Sequence, residues 1–190
     1  MKYAKTFVLV STIVAALLIF TESSSATSLT QAPEYEGTIH AESEGTVAIH
    51  GPATASCKST IEGTVKYING TIGGELEKLT FKECGSNDVI VQFPGLLEIH
   101  TEEASSNGNG TLTSNAAVIE VKFTPIGLNC LYNTSNTDIG TLTGSSNTGG
   151  TATLDIEAVL PRIGGSFFCG PTAEWIGSYT IDAPDYLDVD

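Results

Sequence analysis

Ala152-Thr153-Leu154-Asp155-Ile156-Glu157-Ala158 alternates without a break, its apolar residues on one parity and Thr, Asp and Glu on the other. A period of two buries one face and wets the other, which describes a half-buried strand and not a helix. The same pattern recurs outward along the chain. Ala117, Ile119, Val121 and Phe123 stand against Val118, Glu120 and Lys122, and Ile61, Val65 and Tyr67 against Glu62, Thr64 and Lys66. Near the C-terminus Trp175, Tyr179 and Ile181 oppose Glu174, Ser178 and Thr180. Beyond residue 26 no helical apolar stripe interrupts the alternation.

Turn chemistry separates these runs. Pro94-Gly95 suits the centre of a type II turn. Asn107-Gly108-Asn109-Gly110 carries the Asn-Gly signal of a hairpin, and Ser145 to Gly150 is a second break of small polar residues. A Gly-Thr-aliphatic idiom at Gly37, Gly45, Gly63, Gly70, Gly110 and Gly140 marks strand starts at irregular intervals, so it is no solenoid repeat. Ten or so strands in one domain, with no crossover helices for a parallel sheet, predict an all-β, antiparallel sandwich resembling a jelly roll.

Residues 1–26 read as a cleaved secretory signal. Lys2 and Lys5 precede an apolar stretch from Phe7 to Phe20, and Ser24 and Ala26 supply the small residues of a cleavage site. That stretch is shorter than the roughly 20 residues of a membrane span. The expected organisation is a signal over 1–26, an irregular arm over 27–35 and a single β-domain over 36–190. With Lys2, Lys5 and Glu22 in the signal, 6 basic and 21 acidic residues remain, a formal charge of −15. Such a balance argues against a nucleic-acid partner, which needs Lys and Arg for phosphate, and against electrostatic docking on anionic lipid.

Cys57, Cys84, Cys130 and Cys169 all lie in the exported part, so two disulfides are expected. Three pairings are possible. Cys57–Cys84 with Cys130–Cys169 is favoured, since each bridge then closes consecutive strands. None has the C-x-x-C spacing of a redox or zinc motif.

Chemistry is sparse. His40, His50 and His100 fall on polar strand positions; a zinc or copper site would combine two of them with Glu42, Glu98 or Glu102, but solvent-facing strand histidines are the expectation. There is no G-x-S-x-G elbow. Glu102-Glu103 or Glu42 and Glu44 offer carboxylate pairs for a glycosidase groove, a common coincidence in so acidic a chain. Calcium would call on Asp182, Asp185, Asp188 and Asp190, or on Glu102 and Glu103 with Asn107, without any recognised loop motif. Trp175 and Tyr179 would make a sugar platform if exposed, but their parity makes them core. Asn69, Asn109 and Asn133 open glycosylation sequons.

Cys57-x-Ser59-x-Ile61-Glu62-Gly63-Thr64-Val65, Leu79-Thr80-Phe81-x-x-Cys84, Gly164-Gly165-Ser166-Phe167-x-Cys169-Gly170 and Trp175-x-Gly177-Ser178-Tyr179 together resemble a pattern in small exported proteins of actinobacteria. Asn109 to Ser114 and Ile139 to Gly144 extend the likeness over most of the exported chain. A looser similarity of type reaches exported proteins that activate alkane oxidation. The resemblance implies export and a disulfide-stapled β-fold, with no activity attached. The expectation is therefore a secreted or cell-surface, non-enzymatic module with a structural, adhesive or binding role and no cofactor. Its partner would be a cell-envelope component or a further copy of itself, reached by adding the arm Thr27–Tyr35 to a neighbour's sheet edge. The competing class is a secreted carbohydrate-binding protein or hydrolase with an acidic and aromatic groove.

Overall fold

The computed structural model describes residues 29–30, 37–68, 71–101, 109–144, 151–183 and 188–189. The expected signal peptide lies outside them. The strands are β1 (Leu29–Thr30), β2 (Gly37–Ser43), β3 (Val47–His50), β4 (Thr54–Ile68), β5 (Thr71–Lys82), β6 (Asp88–Phe93) and β7 (Leu96–Thr101). They continue as β8 (Asn109–Asn115), β9 (Val118–Phe123), β10 (Leu128–Asn133), β11 (Thr137–Thr143), β12 (Ala152–Gly165), β13 (Thr172–Ala183) and β14 (Asp188–Val189). Two short 3-10 turns, Thr124–Ile126 and Phe167–Cys169, are the only helical elements among the described residues.

Every pairing is antiparallel, and the chain is all-β as its alternation requires. The expected sandwich is replaced by a closed form. β2, β4, β5, β7, β8, β11, β12 and β13 each pair with the next, and β13 returns to β2 through Ile181 opposite Ala41. The result is an eight-stranded barrel. Its inner face takes the apolar parity: Ile61, Ile99, Leu112, Leu142, Leu154, Ile156, Tyr179 and Ile181 are all buried. Closure removes the edges that an open sheet would expose, which favours it over two separate layers.

One place in the ring is shared by two strands. β2 pairs Gly37–Glu42 with Val65–Thr60 of β4, and β3 pairs Val47–His50 with Cys57–Thr54. Ser43 to Thr46 bulge between them. The bulge is held by Ser43 Oγ, which accepts from the Ser59 N–H at 3.0 Å and donates to the Gly45 carbonyl at 3.1 Å. Gly45 sits at φ +81, where only glycine is unstrained.

β12 outruns the barrel. Ala152 to Pro161 pair with β13, whereas Arg162, Gly164 and Gly165 pair with β10, which leads on to β9 and β6. This branch sheet turns Val89, Ile119, Val121, Phe123, Cys130 and Tyr132 inward, where they are buried. Gly51, at the β3–β4 turn, is closely packed: Phe123 and the Tyr132 hydroxyl lie 3.0 Å from where its Cβ would be, so a side chain there would press on both rings. The branch sheet thus packs on that end of the barrel. Pro94-Gly95 is a turn, with Gly95 at φ +85, but it joins two strands that do not pair. It carries the chain from the branch sheet back into the barrel.

Both favoured disulfides are present. Cys57–Cys84 ties β4 to the turn after β5, and Cys130–Cys169 ties β10 to the second 3-10 turn. Of the arm 27–35, Leu29 and Thr30 alone are described, and they pair with Val189 and Asp188 of the same chain.

Candidate functional site

The barrel interior is the first place to look for a site. Inside the barrel lies a cavity of about 50 Å³, lined by Ile39, Ile61, Val65, Leu112, Leu142 and Ile181 among others. Its lining side chains are overwhelmingly aliphatic, so it stays dry, and it falls far short of the roughly 300 Å³ at which small-molecule pockets begin. Trp175 and Tyr179, the expected core aromatics, are indeed inside: 5% and 0% exposed, with rings edge-on at 6.4 Å. No sugar can stack on them there. Burial drives the Tyr179 phenol far above its ordinary range, while nearby Ser59 and Trp175 pull weakly the other way.

The polar chemistry is on the outer wall. β11, β12 and β13 place Asp138, Asp155, Glu157 and Ser178 around a shallow trough of about 490 Å³, with Ile176 at its side. Asp155 and Glu157 stand on the polar parity of β12, one strand step apart. The floor is Gly140, where β11 bulges against β8 between Asp138 and Gly140. A Cβ at Gly140 would lie 2.1 Å from the Asp155 carbonyl oxygen, so the floor must stay bare. Ser178 Oγ donates to Asp155 Oδ1 at 2.5 Å and Thr113 Oγ1 to Asp138 Oδ1 at 2.7 Å, which orients both carboxylates. Such a surface can accept hydrogen bonds from a polyhydroxylated ligand.

A second group of polar residues lies on β2 and β13. Donor atoms of His40, Glu42 and Asp182 lie within 4.8 Å of one another. His40 Nδ1 already meets Asp182 Oδ1 at 2.5 Å, so ring and carboxylate satisfy each other in a half-exposed pair. Across the sheet, Lys78 donates to Glu62 at 2.7 Å and holds that carboxyl below the usual carboxylate range, with His40 and Lys82 adding to the pull. Glu44 accepts from Thr180 Oγ1 at 2.5 Å. His50 pairs with Thr54 at 3.0 Å and His100 lies 3.5 Å from Glu98, both on exposed strand positions. Among the described residues the three histidines therefore sit in separate local contacts with hydroxyls and carboxylates.

Other candidates fall elsewhere. Glu102, Glu103, Asn107, Asn69, Asp185 and Asp190 lie outside the described residues, and of Asp188 only the strand pairing is described. Sequence reasoning passed over Asp138, Asp155 and Glu157 as site residues. The signal was available for the last two, which share a face by alternation; for Asp138 it was not, because a bulge sets its direction. Compared with protein-family models, with curated proteins and with solved structures, the chain matches none.

Proposed function

We propose that this protein is a non-enzymatic, exported module of the extracellular space or cell surface that engages its partner through the outer wall of the barrel. The observation that carries the reading is the division of chemistry between the two faces. Aliphatic side chains, with Trp175 and Tyr179, fill the interior around a cavity of about 50 Å³, while carboxylates and hydroxyls are displayed outside. Two disulfides support an oxidising compartment, in keeping with the Lys2 to Ala26 leader and with the likeness to small exported proteins. An outer wall bearing Glu42, Glu62, Lys78, Asp155 and Glu157 is the reverse of the apolar band that faces lipid.

The trough around Gly140 favours one alternative, a carbohydrate-binding role without hydrolysis. Affinity electrophoresis through soluble polysaccharides, run beside a turnover panel on the same polymers, tests both readings. Retardation that disappears in Asp155→Asn/Glu157→Gln, with circular dichroism unchanged, would establish the carbohydrate reading. No retardation and no turnover would leave the general module and discard the sugar. Turnover abolished by either carboxylate change would overturn the non-enzymatic reading altogether.

A further inference from the structure

Charge is spread unevenly along this chain. It holds 22 acidic residues, yet none lies between Lys122 and Asp138 or between Glu157 and Glu174, and Arg162 is the one charged residue in those two stretches. The fold brings the stretches together. β10 sets Cys130 opposite Gly165 and Leu131 opposite Gly164, where β12 runs past the barrel. This is the end away from Gly37 and Ala183, because β12 and β13 are joined there through the Phe167–Cys169 turn.

The outer face of β12 changes character on the way. Asp155 and Glu157 are followed on the same exposed parity by Val159, Pro161 and Ile163, the last being the extra residue of a bulge opposite Leu131 and Tyr132. Phe167 and Phe168 then stand 85% and 73% exposed, their rings edge-on at 6.0 Å. Phe167 and Ile163 line one shallow hollow with the bare Gly164 and Gly165. An apolar cluster so exposed marks a contact surface. The backbone beneath it is largely satisfied. The Cys169 N–H donates to the Ser166 carbonyl at 3.0 Å, the Ser166 N–H to the Asn129 carbonyl at 3.2 Å and the Phe168 N–H to Ser166 Oγ at 3.3 Å. Arg162 Nη1 reaches the same Ser166 carbonyl at 2.6 Å, and the Cys130–Cys169 bridge pins the turn. Entry into an apolar phase requires backbone polarity met in this way, and a pinned turn has little ordering left to lose on docking.

Shape and charge select the occupant. Two rings that project from a turn suit a deformable phase, whereas a second copy would bring knob against knob and one chain of formal charge −14 against another. Carboxylates resume only at Glu157 and Glu174, so a bilayer can take the turn without desolvating either. Arg162, just beneath, suits the phosphate level of lipid headgroups. We propose that this end of the protein is a membrane-docking tip: Phe167, Phe168 and Ile163 enter the interfacial zone of a bilayer without net charge, while the acidic barrel stays in water. The contact goes beyond the binding-module reading, since it uses the far end of the molecule and leaves the trough to a separate ligand.

Flotation of the secreted, oxidised protein with phosphatidylcholine vesicles tests it. Binding is expected, and Phe167→Ser/Phe168→Ser should weaken it by about ten-fold or more. Both rings are exposed, so this variant keeps its fold, which circular dichroism checks. Phosphatidylserine added to the vesicles should weaken binding by repelling the acidic barrel. In Phe168→Trp, vesicles should shift the emission to the blue, and lipids brominated along their chains should quench it, over a constant background from buried Trp175. No vesicle binding, binding only when phosphatidylserine is present, binding that survives the double Phe change, or an unshifted emission overturns the proposal. A lipid-free dimer that the double change dissolves, without vesicle binding, overturns it in favour of a second copy.

Discussion

Replacing Thr134 by valine keeps the shape of the side chain and removes one oxygen, at a site where two turns are tied together. Thr134 is 3% exposed. Its Oγ1 accepts from the Ala117 N–H at 3.0 Å and shares a hydrogen bond with Ser114 Oγ at 2.9 Å. Its backbone accepts from Ala116 at 3.0 Å and donates to Ala117 at 2.9 Å. Valine leaves those backbone bonds intact but strands a buried amide and a buried hydroxyl. A buried orphan costs about 1–3 kcal/mol. The Ala117 amide cannot turn away, whereas the Ser114 hydroxyl can rotate, so the two together should destabilise by about 2–4 kcal/mol. Ser114→Ala alone should cost about 1 kcal/mol, yet in the Thr134→Val background it deletes one of the orphans and should be nearly neutral. Urea unfolding followed by fluorescence of Trp175, the one tryptophan, reads all four corners of the cycle. If Thr134→Val falls within about 0.5 kcal/mol of the parent, or if Ser114→Ala costs the same in both backgrounds, the account of this network is wrong.

The Cys130–Cys169 bridge spans 39 residues and Cys57–Cys84 spans 27, for which the loop-entropy relation gives about 4 and 3.5 kcal/mol respectively. Paired Cys→Ala variants should lower the urea midpoint accordingly, and a loss below about 1 kcal/mol at either bridge would contradict it. Alkali should also destabilise the fold. Burial raises the phenols of both Tyr179 and Tyr132, the latter against the opposing Arg162 charge, while in the unfolded chain they ionise near pH 10. The unfolded state then releases protons that the folded state retains, so this stability is complete below about pH 10 and declines above it. Tyr179→Phe should remove most of the slope; an unchanged slope in that variant would rule Tyr179 out as its source.

Strands and bridges were legible because both are written locally. Alternation from Ala152 to Ala158 marks a buried face whatever lies opposite, and even cysteine numbers between neighbouring runs pair naturally. Barrel closure was not, because it rests on Ala41 meeting Ile181 from opposite ends of the chain, and nothing at either position encodes the other. Pro94-Gly95 shows the same limit: a turn can be recognised, but not that the strands on either side belong to different parts of the sheet. Pro161 offered a missed hint. A residue without an N–H suits the end of the β12–β13 ladder, where Pro161 faces Thr172 and Arg162, its N–H still on the Pro171 carbonyl, begins the pairing with β10. For the outer trough, Asp155 and Glu157 were legible as a face and illegible as a site, because its bare floor depends on the approach of Gly140 to a neighbouring carbonyl.

The pairing of β2 with β13 bears on how the protein responds to tension. β2 enters the barrel at Gly37 and β13 leaves it at Ala183, side by side and antiparallel, so both strands open at one end. A pull applied across that entrance and exit loads the hydrogen bonds between β2 and β13 one at a time, as a zipper does, instead of all together in shear. β1 and β14 have the same arrangement. In series with a stretched polymer the barrel would peel at low force. Fixed to a surface through one end only, it feels no such load and keeps its outer wall displayed, so the topology suits a pendant far better than a link in a chain.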